Sequence, residues 1–364
     1  MSEQRPTEVV LILGGAGYIG SHVTRALCEA ASSSSPSSSS SSPSSSSCSS
    51  QSLCAYEVVV VDSLILGHRE SVPASVTFEL ADVCDFAALD AVFTRHRPSA
   101  VVHLCAFSQV GQGETNPLEY YENNVTGAVT LLKVMRKHNV QRIVFSSTAA
   151  VYGDTTAQLL TEESPTVPTS CYGNTKLAIE KLLHHCANAY NIRSVSLRYF
   201  NACGAHPSGE IGEAHEPESH LIPIVLQVAS GKRAALQVFG TDYDTPDGTA
   251  LRDYIHVCDL ATAHIAALDY LRDGGSSLVL NLGTGQGTSV RTIIEVARKV
   301  TGHPIPCVDT TRRAGDVTSL VAGADRARSV LGWEPTHSSI ENIIETAWRW
   351  HSAHADGFSV DARL

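Results

Sequence analysis

Tyr172 and Lys176 stand at i and i+4 in Ser170-Cys171-Tyr172-Gly173-Asn174-Thr175-Lys176, so a helix through them carries phenol and ammonium on one face. A tyrosine hydroxyl ordinarily titrates near pH ~10, and a neighbouring cation favours the phenolate by about 1.4 kcal/mol for each unit of depression. A phenolate so placed takes a proton from a sugar or alcohol hydroxyl while hydride leaves the same carbon. Thr148, closing Ser146-Ser147-Thr148, can hydrogen-bond that hydroxyl. Tyr-x-x-x-Lys alone is common on helix surfaces; the strand-end Ser-Ser-Thr and a glycine turn upstream give it chemical meaning.

That turn follows the apolar run Glu8 to Leu13, which reads as a short buried strand leading into Gly14-Gly15-Ala16-Gly17-Tyr18-Ile19-Gly20 and helix-forming residues to Ala31. Gly14, Gly17 and Gly20 let the chain turn sharply, let a pyrophosphate approach the helix N-terminus, and let the helix pack on the strand. An acidic residue for an adenosine ribose is expected about twenty residues further on, yet Asp62, closing Val58-Val59-Val60-Val61, lies about twice as far. The excess is Ser32 to Ser52, nearly pure serine with Pro36 and Pro43, which lacks apolar surface to offset ordering entropy and reads as a disordered insertion. With it removed, Asp62 suits the 2′-hydroxyl of NAD and repels the 2′-phosphate of NADP; a strand-end aspartate capping a turn is the bland alternative. An oxidised nicotinamide beside Tyr172 then adds to the charge that favours phenolate.

Around these motifs strands and helices alternate: Val76 to Leu80, helix Phe86 to His96, strand Ala100 to Leu104, one long helix Leu118 to His138, strand Arg142 to Ser147, helix Tyr172 to Tyr190 and strand Ser194 to Tyr199. Such alternation implies an α/β fold with a doubly wound parallel (Rossmann) sheet. After Asn201 proline- and glycine-rich loops take over. We expect residues 1–200 to bind NAD, and residues 201–364 to form a smaller mixed α/β substrate lobe with the chain crossing back to the first domain.

With 364 residues at 43% hydrophobic content the chain can bury a large core. No apolar stretch is long enough for a bilayer, no secretory signal precedes the first strand, and a net charge of −11 argues against nucleic acid or anionic membranes as partners. Ten cysteines without a Cys-x-x-Cys pair fit a reduced intracellular chain, with no metal expected.

From Glu8 to the end, apart from the serine insertion, the chain resembles the UDP-galactose 4-epimerases of the extended short-chain dehydrogenase/reductase type. The likeness lies in Gly14-Gly15-Ala16-Gly17-Tyr18-Ile19-Gly20-Ser21-His22, Val151-Tyr152-Gly153, Arg198-Tyr199-Phe200-Asn201, Gly204-Ala205-His206-Pro207-Ser208-Gly209 and Arg252-Asp253-Tyr254-Ile255-His256-Val257. It implies epimerisation through a transient 4-keto sugar with tightly held NAD, Tyr172 acting on the 4′-hydroxyl. It assigns Arg252 and Arg313 to the diphosphate with Asp316 reaching toward the ligand, and Asn201, His220, Leu221, Val238 and Phe239 to the sugar and uridine. On the cofactor side it assigns Tyr18, Ile19, Asp82 and Val83 (adenine edge), Lys176 (ribose) and Tyr199 (nicotinamide). A strand-end turn explains Asp82-Val83 nearly as well, and Tyr199 could be core. A homodimer through the helices near Leu118 and Tyr172 is also implied.

Departures accompany the likeness. Ser108 stands where many relatives carry a cofactor-binding lysine, Thr148 replaces the usual serine, His220 replaces a common asparagine, and Leu320 occupies a position that helps decide whether N-acetylated sugars fit. Cys105-Ala106-Phe107 and Ser219-His220-Leu221-Ile222-Pro223 look most like kinetoplastid forms, and Ala362-Arg363-Leu364 matches a loose peroxisomal or glycosomal address, with the cytosol as the alternative. A UDP-xylose/UDP-arabinose 4-epimerase stays open because the C6 group is read by pocket shape. A 4,6-dehydratase needs an acidic shuttle where this chain has Ala149-Ala150-Val151, and a noncatalytic dinucleotide sensor should have lost Tyr172 or Lys176.

Overall fold

The computed structural model describes residues 8–33, 56–155, 157, 159–313 and 316–358. Strand β1 (Glu8–Leu13) pairs in parallel with β2 (Tyr56–Asp62) on one side and β4 (Ala100–His103) on the other, so Leu11 faces Val59 and Val101. Both faces of these strands are covered, which is why they read as continuous apolar runs. With β3 (Thr77–Leu80), β5 (Arg142–Thr148), β6 (Arg193–Tyr199) and β11 (Leu278–Leu282), they form a seven-stranded parallel sheet in the order β3-β2-β1-β4-β5-β6-β11. The order reverses between β1 and β4, and ligands bind outside the carboxyl ends at such a switch point.

Alternate residues of β1 and β2 feed two cores. Val10, Ile12, Val58 and Val60 pack with α1 (Tyr18–Ser33) and α8 (Val257–Arg272); Leu11, Leu13, Val59 and Val61 pack with α2 (Phe86–His96), α5 (Gly127–Lys137) and α6 (Cys171–Tyr190). Leu131 on α5 is fully buried, which stabilises the fold by about 1.5–3 kcal/mol. Asp85 caps α2 by accepting from the amides of Ala87 and Ala88 at 2.9 and 3.0 Å, and Ser170 caps α6 by accepting from Gly173 N at 3.1 Å.

One expectation holds in outline and one changes here. The long helix expected at Leu118 to His138 runs without a break through α4 (Pro117–Tyr120), a π-helical turn Tyr121–Thr126 and α5, with the separate short α3 (Val110–Thr115) before it. The π turn inserts a residue that re-aims Asn124 into the interior, which apolar periodicity alone does not reveal. Helix α1 continues to Ser33, two residues into the expected serine insertion; the rest of that segment lies outside the described residues.

Beyond β6 the chain forms a second unit. Its parallel pair β7 (Asn201–Cys203) and β10 (Tyr254–His256), the pair β8 (Leu236–Phe239) and β13 (Cys307–Thr310), and the small sheet of β9 (Leu251–Arg252), β12 (Thr288–Ser289) and β14 (Ser319–Leu320) are short. Helices α7 (Leu221–Ala229), α9 (Val290–Thr301) and α11 (Ile340–Ala353) build its core, while α10 (Asp325–Leu331) lies beside β11. Helix α8 and β11 return to the large sheet, α8 against α1 and β11 on β6.

Candidate active site

At the switch point Gly14 has φ +81°, and a Cβ there would lie 2.5 Å from Cys105 N. A Cβ on Gly20 would sit 2.0 Å from the Gly14 carbonyl oxygen, so the turn and the first turn of α1 meet backbone to backbone. Gly17 has ordinary room. This leaves the free N–H groups at the start of α1 open to an anion.

Asp62 ends β2, buried, and accepts from Ala16 N and Leu64 N, each at 2.9 Å. It thus performs the capping role weighed as its bland reading, while each carboxylate oxygen keeps a second lone pair for a ribose hydroxyl. Burial pushes its carboxyl up despite those amides. Asp82 accepts from Cys84 N at 2.8 Å, and Val83 packs in the core against Gly127. Ile19 is half-buried against the core. Tyr18 donates its hydroxyl to the Gly204 carbonyl at 2.6 Å, tying the glycine turn to the loop after β7. Ser108 is exposed.

The reacting groups gather at the ends of β5 and β6. Thr148 hydrogen-bonds the half-buried Tyr172, and its Oγ1 accepts from Ala150 N at 3.1 Å. Lys176 is fully buried on the same face of α6, its Nζ 5.8 Å from the Tyr172 ring centroid and donating to the Ser146 carbonyl at 2.8 Å. Burial holds the Lys176 ammonium down at about 8. Contrary to the expected depression, the protein's own groups push the Tyr172 hydroxyl up: burial and the Tyr199 hydroxyl outweigh the hydrogen bond from Thr148. Tyr199 is buried, hydrogen-bonded to Ser146 Oγ, and burial raises it to about 12.

One turn further along the same helix face Glu180, unnoticed in the sequence, takes Ser147 Oγ at 2.5 Å and clamps Arg198 through Nε at 2.9 Å and a terminal nitrogen at 2.6 Å. The spacing 172, 176, 180 carried that signal. Asn124 was also missed. Its Oδ1 accepts from Phe107 N at 2.8 Å and its Nδ2 donates to Phe107 O and Thr175 Oγ1, both at 3.0 Å, fastening the loop that carries Ser108 to α6.

In the second unit Asn201, His220, Leu221, Phe239, Arg252, Arg313 and Asp316 line one cavity of about 180 Å³. Arg252 is held by the carbonyls of Leu251 and Val317 at 2.8 and 2.9 Å and pairs with Asp316 at 3.5 Å; Arg313 pairs with Asp316 at 3.0 Å and lies over the Phe239 ring at 4.7 Å. Two guanidiniums with one carboxylate leave a net positive charge for an anionic ligand. Val238 does not join them: on β8 its side chain faces the core, since neighbours on a strand point to opposite faces. Leu320 packs beside Ala149, Val151, Leu177 and Phe200, next to the reacting groups. The Glu213 carboxylate holds His220 up at about 11.

The pattern of the NAD dependent epimerase/dehydratase family matches residues 10–283, three quarters of the chain. The chain belongs to that family. A curated UDP-glucose 4-epimerase of Halalkalibacterium halodurans is 49% identical over 352 residues, covering 97% of this chain and 98% of its own. A crystal structure of a UDP-glucose 4-epimerase superposes with a TM-score of 0.88 at 46% identity, covering 96% of this chain and 99% of that one. The Bifidobacterium longum UDP-glucose 4-epimerase, solved with NAD+ and UDP, does so with a TM-score of 0.84 at 37% identity, covering 96% and 100%. For this family member NAD also fits the residues present: the Gly14–Gly20 contact forms a cradle that any Cβ would fill, and Asp62 closes β2 beside it.

Proposed function

We propose that this protein interconverts UDP-galactose and UDP-glucose with NAD held at the glycine turn. The observation that carries the reading is the placement of Tyr172, Thr148 and Lys176 at the carboxyl ends of the sheet, with Arg252 and Arg313 lining a separate cavity in the second unit. Cofactor and sugar nucleotide then approach the same phenol from the two units.

Arg252 and Arg313 grip the diphosphate while Phe239, Leu221 and Asn201 line the rest of that cavity, so the hexose is held loosely and can present either face. Tyr172 takes the 4′-hydroxyl proton and later returns one, with Thr148 holding the hydroxyl in line. NAD, when bound, supplies a positive nicotinamide ring beside the phenol and an acceptor for the C4′ hydride. Lys176 stays fixed on the Ser146 carbonyl and lends its charge to the phenolate. Glu180 and Arg198 keep β6 and α6 in register below them.

Three finer readings join this one. A homodimer through the α4 and α6 region is supported by exposed Leu118 and Tyr121, at 83% and 44%, and light scattering of the purified protein tests it. The likeness to kinetoplastid forms rests on the quoted motifs, while the curated relative above is bacterial. Glycosomal or peroxisomal import rests on Ala362-Arg363-Leu364, which lie outside the described residues; a reporter fusion with and without them decides between organelle and cytosol.

Purified protein given UDP-galactose, with and without added NAD, should form UDP-glucose with no net NADH. Conversion only with added NAD would tie weak cofactor retention to Ser108; no conversion of the hexose but turnover of UDP-xylose or UDP-arabinose would redirect the substrate assignment.

A further inference from the structure

Four side chains between β7 and α7 converge, and of these His220 alone also lines the pocket. Glu213, His215, Glu218 and His220, spaced Glu-x-His-x-x-Glu-x-His, each bring one ligand-type atom to a common point, all within 4.8 Å of one another. His215 Nδ1 lies 3.0 Å from Glu213 Oε1, and His220 Nδ1 lies 2.8 Å from the same oxygen and 3.0 Å from Glu218 Oε1. In a tetrahedral zinc site with metal–ligand bonds of about 2.0–2.1 Å, neighbouring ligand atoms sit about 3.3 Å apart, so small side-chain rotations open this cluster around an ion.

As it stands the cluster is held by ion pairs: His220 Nδ1 faces oxygens of two different carboxylates, and the two lone pairs of Glu213 Oε1 face two imidazoles. A divalent cation at the centre gives each of the four atoms its own bond and neutralises both carboxylates.

The surroundings preorganise the carboxylates. Glu213 is 4% exposed, with its carbonyl accepting from Trp350 Nε1 at 3.1 Å, and Glu218 Oε1 is held by the amides of Ser219 and His220 at 2.7 and 2.8 Å. His220 keeps an exposed flank through which an ion can enter. Two imidazole nitrogens and two carboxylate oxygens in four-coordinate reach select a first-row transition ion of the zinc type over magnesium or calcium.

We propose that Glu213, His215, Glu218 and His220 bind one divalent zinc-type ion that clamps the loop delivering His220 and Leu221 to the pocket. Its ion-binding half stands independently of the epimerase reading; its consequence for sugar-nucleotide binding rests on that reading.

The test uses the full-length protein, stripped with a chelator, dialysed and titrated with cobalt(II) alone, then with zinc. The expected result is one equivalent of cobalt with visible bands of tetrahedral coordination, displaced by zinc, and a thermal midpoint raised by zinc. Glu218→Gln and His215→Gln should each weaken binding by about 10-fold or more. His215→Cys should keep the ion and add a thiolate charge-transfer band, which a merely misfolded variant could not do. Absence of saturable binding, or binding unchanged in all three variants, would overturn the proposal and leave an ion-pair cluster. Turnover is not a readout, so failure of the epimerase reading cannot be mistaken for failure of this one.

Discussion

The Lys176 ammonium donates to the Ser146 carbonyl oxygen at 2.8 Å, so a fully buried cation is anchored to the strand whose next residues lead to Thr148. The anchor fixes the charge without neutralising it. Its fall from an ordinary 10.5 to about 8 corresponds to a net cost of roughly 3 kcal/mol, burial outweighing the favourable charges of Cys105 and Glu180.

Lys176→Met should therefore stabilise the fold by about 1–3 kcal/mol at pH 7 while nearly abolishing turnover. Below pH 8 the lysine is protonated in folded and unfolded chains alike and the cost is fully present. Between about pH 8 and 10.5 the unfolded chain keeps a proton that the folded chain has released, so wild-type stability gains on the variant as pH rises. Urea midpoints at pH 7 and 9.5 check this; a variant less stable than wild type at both would refute it.

Tyr172→Phe should lower turnover by about 10²- to 10⁴-fold with NAD binding retained, since the aromatic ring still fills its place. Thr148→Ser should stay near wild type and Thr148→Ala should lose less than Tyr172→Phe, because the hydroxyl positions a proton that the phenol moves. Single-turnover rates, with bound cofactor followed by absorbance, separate the two effects.

Replacing Arg252 by leucine removes a charge-assisted contact worth about 1.5–3 kcal/mol, so KM for the sugar nucleotide should rise about 10- to 100-fold with a smaller change in kcat. Arg252→Lys should recover little, because the fork that spans the Leu251 and Val317 carbonyls and Asp316 has no equivalent on an ammonium. An unchanged KM would detach the cavity from substrate binding.

Asn124→Ala leaves the half-buried Phe107 N and O without their side-chain partner, at about 1 kcal/mol for each group. Denaturant unfolding should show that loss, and hydrogen exchange at Phe107 should rise before global unfolding does. Equal protection in wild type and variant would mean that other contacts hold the loop.

What the sequence disclosed follows from local chemistry. The Glu8–Leu13 run, the Gly14 turn, Asp62 and the Tyr172–Lys176 face are each set by residues adjacent in the chain or one helical turn apart, and the structure puts each on the strand, turn or helix expected for it. The arginines and Phe239 were located through resemblance, not spacing, and they meet in one cavity. The misses are long-range. Asn124 depends on an inserted π residue, Val238 on which face of β8 meets the core, and the upward push on Tyr172 on burial contributed by several elements at once. None of these leaves a local pattern.

The contact between Gly20 and the Gly14 carbonyl also limits how the protein can be re-engineered. With only 2.5 Å at Gly14 and 2.0 Å at Gly20 for a first side-chain carbon, both positions are closed to variation, and a library aimed at accepting a 2′-phosphorylated dinucleotide would waste its diversity there. The open route is Asp62 together with Gly67, where a Cβ would press on the Asp62 carboxylate at 2.7 Å and the obstacle leaves when the carboxylate does.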